Sequence, residues 1–275
     1  LMRIKKFRPR IAVLTNISAD HLNWHKDINE YIKAKKRIFM NQIPEDFAIL
    51  NYNDKIIRTM EKDIKARIIF FGEECYNGAW LDGVLHFQND DIIHTDEIPL
   101  LGIHNWINAL AAIAVGRILK IANEDIKMGI KKIKPLPHRL EDVGVIAGIR
   151  YINNSMSTNE ASAIASFQAV PGNKIVIAGG REKGDRGENY LRLLVEQAKA
   201  VVILGENAKE IAEFFDNNQY KKYTIVNNMQ EAIASAKKFA NPGDVIMLNP
   251  GFASFGHFRD FQERGDTFKN GVLKH

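Results

Sequence analysis

The chain is poor in cysteine and has no long apolar run. One cysteine, Cys75, in 275 residues excludes an intramolecular disulfide and fits a reducing compartment. No stretch approaches the roughly 20 apolar residues of a membrane helix, and Leu1-Met2-Arg3-Ile4-Lys5-Lys6 has no signal-peptide core behind it. These absences set the expectation of a cytoplasmic protein with no membrane contact. Also missing are a zinc-type Cys/His cluster, an internal repeat, a low-complexity tract and a Walker A sequence. A structural zinc ion is thereby excluded; Mg²⁺, which needs few protein groups when substrate phosphates help, is not. The formal charge of +5 and pI of about 9.1 come from lysines scattered beside acids on amphipathic segments such as 126–134, with no basic stripe interleaved with aromatics. Nucleic acid is therefore not the expected partner, and the mild positive bias suits anionic nucleotides.

What is present reads as an ordinary globular composition, 45% hydrophobic and 26% charged, in a chain long enough for two domains. Short apolar runs predict strands at 10–15, 47–50 and 66–71, and Asp82-Gly83 centres a hairpin over 79–87. Helices are expected at 31–40, at 108–120 after the entrance Gly102-Ile103-His104-Asn105, and at 123–134. Pro135-Leu136-Pro137 then marks a domain boundary, giving 1–136 and 137–275. Beyond it, strands at 143–146, 150–152, 174–178, 200–204, 223–226 and 244–248 alternate with helices from 160, at 190–198, 208–215, 229–240 and 258–269. That alternation predicts an α/β, doubly wound, mostly parallel sheet, whose ligands bind at the carboxyl ends of the strands.

Polar residues gather at such ends. His21 follows the first strand, with His25 close by, and Lys35 lies on the helix after it. His104, Asn105 and Asn108 crowd the start of an otherwise apolar helix; Asn is a good N-cap, but two amides and an imidazole exceed what a cap needs and suit a purine or ribose. Gly179-Gly180-Arg181-Glu182-Lys183 leaves a strand with a flexible backbone and cations. The tail from Asn249 to Asp266 runs from a strand into a helix N-terminus, whose unpaired N–H groups suit a carboxylate or phosphate, or else its phenylalanines, Phe252, Phe255 and Phe258, anchor packing.

In order, Thr15-Asn-Ile-Ser-Ala-Asp-His21, Ala34-Lys35, Gly102-Ile-His-Asn-Trp-Ile-Asn108, Leu136-Pro-His-Arg139, Asn154-Ser-Met-Ser-Thr-Asn159, Ala178-Gly-Gly-Arg-Glu-Lys183 and Pro250-Gly-Phe-Ala-Ser-Phe255 through Glu263-Arg-Gly-Asp266 resemble the Mur ligases. The resemblance spans nearly the whole chain. It implies the C-terminal part of the central ATP-binding domain followed by a Rossmann-like ligase domain, without the family's UDP-binding domain and P-loop half. The implied reaction is ATP-dependent formation of an amide through an acyl phosphate, in peptidoglycan precursor synthesis. Its implied substrates are UDP-N-acetylmuramoyl-L-alanine and D-glutamate, and its cofactors ATP and Mg²⁺. By the same resemblance His21 and Lys35, the latter carbamylated, are catalytic metal ligands. His104, Asn105, Asn108, Arg139 and Asn154 meet the nucleotide, and Thr158, Lys183, Ser254, Phe255 and Phe261 hold the acceptor. The chain departs from the family at Asn154 and Met156, where Asp and Lys are frequent, and at Asn23 and Trp24, where Asp and Arg are expected. The alternatives are a ligase-like scaffold without catalysis and a related ligase with another acidic amino acid or a folate-like acceptor. By itself the chain is expected to be inactive.

Overall fold

The computed structural model describes residues 1–2, 4–17, 27–182 and 186–274. They form two compact units, residues 1–133 and 134–275. In the first, β1 (Ile11–Leu14), β2 (Phe47–Asn51) and β3 (Arg67–Gly72) run parallel, α1 (Ile28–Lys36) connects the first pair, and α2 (Lys55–Thr59) follows β2. β4 (Ala79–Leu81) is parallel to β3, and β5 (Val84–Phe87) and β6 (Asp90–His94) complete an antiparallel meander, so the strands lie in sequence order. The hairpin at Asp82-Gly83 is as expected. The third meander strand, β6, is not among the expected elements, because Asp90 and Asp91 give it little strand character. α3 (Ile103–Ile118) and α4 (Asn123–Lys131) cover one face through Leu110, Ile113, Ile126 and Ile130, which pack on Ile49, Phe71, Leu85 and Ile93. On the other face Tyr31, Phe39, Ile57 and Met60 pack on Ala12, Leu14, Ala48 and Leu50.

The second unit follows the doubly wound pattern. Its strands are β7 (Glu141–Ile146), β8 (Ile149–Asn153), β9 (Lys174–Ala178), β10 (Ala200–Ile203), β11 (Tyr223–Ile225) and β12 (Val245–Leu248). The order in space is β11-β10-β9-β12-β8-β7, parallel except for β7. α5 (Glu160–Ala169), α6 (Glu188–Gln197) and α7 (Ala208–Asn217) lie on one face, and α8 (Met229–Phe239) and α9 (Phe261–Leu273) on the other. Alternation along β9 and β10 makes both faces apolar. Ile175, Ile177 and Val202 meet Ile233 and Phe268, while Val176, Val201 and Ile203 meet Leu194, Ile211 and Phe215.

Several helix starts differ from expectation: α1 begins three residues early, at Ile28, and α6 two early, at Glu188, and two more bear on the site. α3 begins at Ile103, capped by Gly102 at φ 93°, so His104 and Asn105 belong to its first turn. α9 begins at Phe261, three residues after the expected start, because Asp260 is the N-cap and accepts from the Glu263 N–H.

Candidate functional site

The last strand of the second unit, β12, is inserted between β8 and β9, in a register that sets Asn153, Leu248 and Ile177 side by side. The segments that follow, 154–159, 249–260 and 179–182, therefore leave the sheet at one edge as neighbours. Backbone hydrogen bonds join them: Gly251 N–H to the Ser157 carbonyl (3.0 Å), Gly179 N–H to that of Pro250 (2.9 Å), and a reciprocal pair between Arg181 and Ala253. Small residues permit this closeness. A Cβ on Gly180 would stand 2.1 Å from the Ala253 carbonyl oxygen, and one on Gly251, at φ 75°, would run into the Tyr190 ring.

Of the expected acceptor residues, Thr158, Ser254 and Phe255 lie on these segments, and Phe261 opens α9 directly after the second of them. Ser254 is buried, Thr158 half-buried, Phe255 exposed, and Phe261 half-buried with its ring edge-on to His138 at 6.1 Å. Lys183 falls outside the described residues. Of the tail phenylalanines, Phe252 is buried and Phe258 partly so, which makes them the packing anchors, whereas Phe255 faces solvent.

The joint at 137–140 is wired to the same edge. His138 (φ 64°) and Leu140 (φ 48°) are buried in left-handed conformations on either side of Arg139, which stays exposed. Asn153 Nδ2 stands 3.1 Å from His138 Nδ1, and on the other side of the ring Asp266 lies 3.8 Å from Nε2. The Glu141 carboxylate accepts from the His138 N–H (3.0 Å), from Asn153 and from Lys269 (2.7 Å). Burial pushes that carboxyl up, but the Lys269 and His138 hydrogen bonds outweigh it and hold it below its ordinary value. Asn154, expected at the nucleotide, is instead 2% exposed, with its amide turned inward between Leu140 and Asn249.

In the first unit, Asn105 does not cap α3: it is buried and its Nδ2 donates to the Leu101 carbonyl (2.7 Å), tying the helix to the loop before it. Asn108 is exposed and His104 half-buried. Lys35 is half-buried, with Nζ 5.2 Å from the centre of the Tyr31 ring. His21 and His25 lie outside the described residues. Among the described residues, no three His, Cys, Asp or Glu side chains gather to hold a metal.

One residue of the Glu263-Arg-Gly-Asp266 motif had no role assigned to it from the sequence. Arg264, 3% exposed, donates to Ser155 Oγ (3.0 Å) and to the carbonyls of Ser155 (2.9 Å) and Phe252 (3.2 Å), all of them neutral oxygens. Burial pulls the guanidinium down to about 9, so it remains a cation at neutral pH. The signal was its position in α9 on the apolar stripe of Phe261, Phe268 and Val272, where a charge needs a reason.

Comparison with known proteins bears on what this edge does. The Mur ligase middle domain matches residues 2–116, and the Mur ligase glutamate ligase domain matches residues 138–252. The chain is 36% identical to the UDP-N-acetylmuramoylalanine--D-glutamate ligase of Pelotomaculum thermopropionicum, over 97% of this chain and 60% of that protein. It is 37% identical to the protein of the same name from Alkaliphilus metalliredigens, over 98% of this chain and 61% of that one. The chain thus spans about three fifths of the length of these relatives. Among solved structures, MurF of Acinetobacter baumannii superposes with a TM-score of 0.74 at 21% identity, covering 98% of this chain and 61% of that one. MurF of Thermotoga maritima in complex with ADP gives 0.69 at 16%, covering 97% and 63%. At those identities the structures speak for the fold alone. With both domain profiles matched in order, the chain belongs to the Mur ligase family, of which it carries the middle and the glutamate ligase domains.

Proposed function

We propose that the chain is part of an ATP-dependent ligase that adds D-glutamate to UDP-N-acetylmuramoyl-L-alanine in peptidoglycan precursor synthesis. The observation that carries this reading is the convergence of the segments after β8, β9 and β12 in a chain whose similar relatives are D-glutamate ligases. In the reaction, the substrate carboxylate attacks the γ-phosphorus of ATP and ADP leaves. The amine of D-glutamate then attacks the acyl carbon, loses a proton, and expels phosphate to leave an amide. Catalysis of phosphoryl transfer is mostly positioning and neutralisation of charge, and each residue has a part in one or the other.

The acceptor brings two carboxylates and an amine. The Thr158 and Ser254 hydroxyls and the Lys183 ammonium are the groups proposed to hold the carboxylates, with Phe261 and Phe255 as apolar walls. Arg139, held outward by the joint, would meet the nucleotide phosphates, and Asn108 and His104 the base or ribose. Asn105 would act through the Leu101 loop that it ties down. Mg²⁺ would be held by His21, by Lys35 and by substrate phosphates. The Lys35 ammonium repels a cation, so Lys35 fits this role only as a carbamate, which replaces the positive charge with hard oxygens. The cytoplasm, which supplies ATP and nucleotide precursors, is the compartment this chemistry needs.

The test is ADP release by the chain within its full-length ligase, in the presence of UDP-N-acetylmuramoyl-L-alanine, with D-glutamate compared against L-glutamate and D-aspartate. Release that depends on D-glutamate supports the reading. Preference for another amino acid, or release independent of any acceptor, overturns it. The 275 residues alone are expected to release no ADP.

A further inference from the structure

At the carboxyl end of β8 the side chain of Asn154 is buried between two backbone segments. Its Oδ1 accepts the Leu140 N–H (3.0 Å), and its Nδ2 donates to Asn249 Oδ1 (2.8 Å). Asn249, itself fully buried, passes the bond on: its Nδ2 donates to the Ala163 carbonyl (2.9 Å), and its own carbonyl accepts the Tyr190 hydroxyl. The orientation of both amides is fixed by the ends of the chain of bonds. A backbone N–H at Leu140 demands an oxygen, and a carbonyl at Ala163 demands a nitrogen. The relay starts at the left-handed joint beside Arg139, passes through Asn249 at the head of the Asn249-Pro250-Gly251 turn that leads to Ser254, and ends on the Ala163 carbonyl of α5.

We infer that the Asn154–Asn249 amide pair is a positioning device that locks the Arg139 joint and the acceptor loop into one piece. Asn154 is thereby a positioning residue and not a nucleotide contact. The functional half rests on the proposed ligase reading; the structural half stands without it. A carboxylate in place of Asn154 still accepts from Leu140 but has no hydrogen to give Asn249. If Asn249 turns its amide to compensate, its oxygen faces the Ala163 carbonyl. In this chain, where Asn249 stands opposite with its nitrogen committed to the Ala163 carbonyl, an acid at 154 keeps the relay only when protonated, because its O–H replaces the lost donor.

That gives Asn154→Asp a signature that loss of packing lacks. Among the described residues no titratable side chain bonds to the Asn154 amide; the titratable groups around the relay are Tyr190 on the Asn249 carbonyl, His138 and Glu141 at the joint, and Arg264, Asp266 and Lys269 from α9, and reference to the parent chain at each pH removes their share. The introduced carboxyl has its folded pKa raised, so the stability it supplies is full below the ordinary Asp range and lost as pH rises through the folded value.

The experiment measures urea unfolding of the 275-residue chain from pH 7 to pH 4 for Asn154→Asp, Asn154→Leu and the parent, with amide exchange at Gly251. At pH 7, Asn154→Asp is expected to raise the unfolding constant roughly ten- to a hundredfold and to speed Gly251 exchange, with the gap closing to within a few-fold in acid. Asn154→Leu keeps its deficit at every pH. A deficit of Asn154→Asp that does not change with pH overturns the inference, as does its absence. In the full-length ligase, Asn154→Asp is expected to raise the KM for ATP and for D-glutamate together, while Arg139→Ala raises that for ATP alone. A rise for ATP alone in Asn154→Asp makes Asn154 a nucleotide contact and ends the positioning role. A ligase that ignores D-glutamate ends the functional reading but leaves the unfolding arm intact.

Discussion

Replacing Arg264 by Met or by Lys separates what its charge costs from what its hydrogen bonds supply. The guanidinium is 3% exposed and, among the described residues, bonds only to neutral oxygens, so none of these partners repays its desolvation with an opposite charge. Its fall from 12.5 to about 9 corresponds to about 5 kcal/mol of disfavoured ionisation. Against this stand two good charged hydrogen bonds, to Ser155 Oγ and O, at about 1.5–3 kcal/mol each, and two longer ones to the Phe252 carbonyl. The two sides nearly cancel, so the arginine by itself adds little net stability. Its removal still costs, because Met fills most of the volume but leaves the Ser155 and Phe252 carbonyls dry, at about 1–3 kcal/mol each. Arg264→Met is therefore expected to lose roughly 2–5 kcal/mol, or on the order of 5–15 °C in the melting of a unit this size. Arg264→Lys keeps the buried charge, has no planar fork to reach both carbonyls, and should be the worse variant at neutral pH. Its ammonium, depressed by the same burial, makes stability fall as pH drops through the folded pKa and recover toward pH 10, whereas the Met variant stays flat. Urea unfolding of the 275-residue chain at pH 7 and pH 10 decides it. A Lys variant more stable than the Met variant at pH 7, or a Met variant equal to the parent, would refute the argument.

Glu141 is held below its ordinary value, so its stabilisation is complete above about 4.5 and disappears as pH falls through the lower folded value; Glu141→Gln should flatten that acid limb of the unfolding curve, and an unchanged limb would place the acid sensitivity elsewhere. Cys75 is buried, its thiol pushed up to about 12 by desolvation, and its Sγ hydrogen-bonds to the Ala79 carbonyl at 3.1 Å. At pH 8 it should resist a disulfide reagent in the native chain and react fully in urea; rapid native labelling would contradict the burial. In the full-length ligase, Lys35→Ala should cut turnover by about two orders of magnitude or more, the value of several kcal/mol of charge stabilisation, with partial rescue by short carboxylates. Near-normal turnover at low bicarbonate would remove the carbamate.

Strand β9 is readable residue for residue, since Lys174–Ala178 is an apolar run between Gly172-Asn173 and Gly179-Gly180, and burial on both faces leaves no polar alternation to confuse it. β6 is not readable, because Asp90 and Asp91 are exposed and the strand exists through its pairing with β5. α9 was legible and misplaced: Asp260 followed three residues later by Glu263 is an N-terminal signal that competes with the apolar Phe258. α3 shows the reverse failure. Polar His104 and Asn105 look like a loop, but Gly102 can take the positive φ that starts the helix one residue later, and the Asn105 amide is consumed by Leu101.

The candidate site divides along the same physical line. Loops that leave parallel strands announce themselves through glycine, serine and asparagine, and the order of strands decides which of them meet; β12 lying between β8 and β9 is what turns separated motifs into one edge. Direction is the part that composition does not carry. An asparagine has a donor and an acceptor of almost equal size, and nothing local tells whether they serve a ligand or the backbone. Asn154 reads as a weakened ribose contact as long as only its missing charge is considered. Once register sets Asn153 beside Leu248, the next residues on β8 and β12 are neighbours too, and Asn154 finds Asn249 within reach. A neutral amide there does what a carboxylate cannot, which is to accept from one segment while donating to another. The substitution that looks like a loss for nucleotide binding is, on this geometry, the feature that lets the joint and the acceptor loop share a single hydrogen-bonded frame.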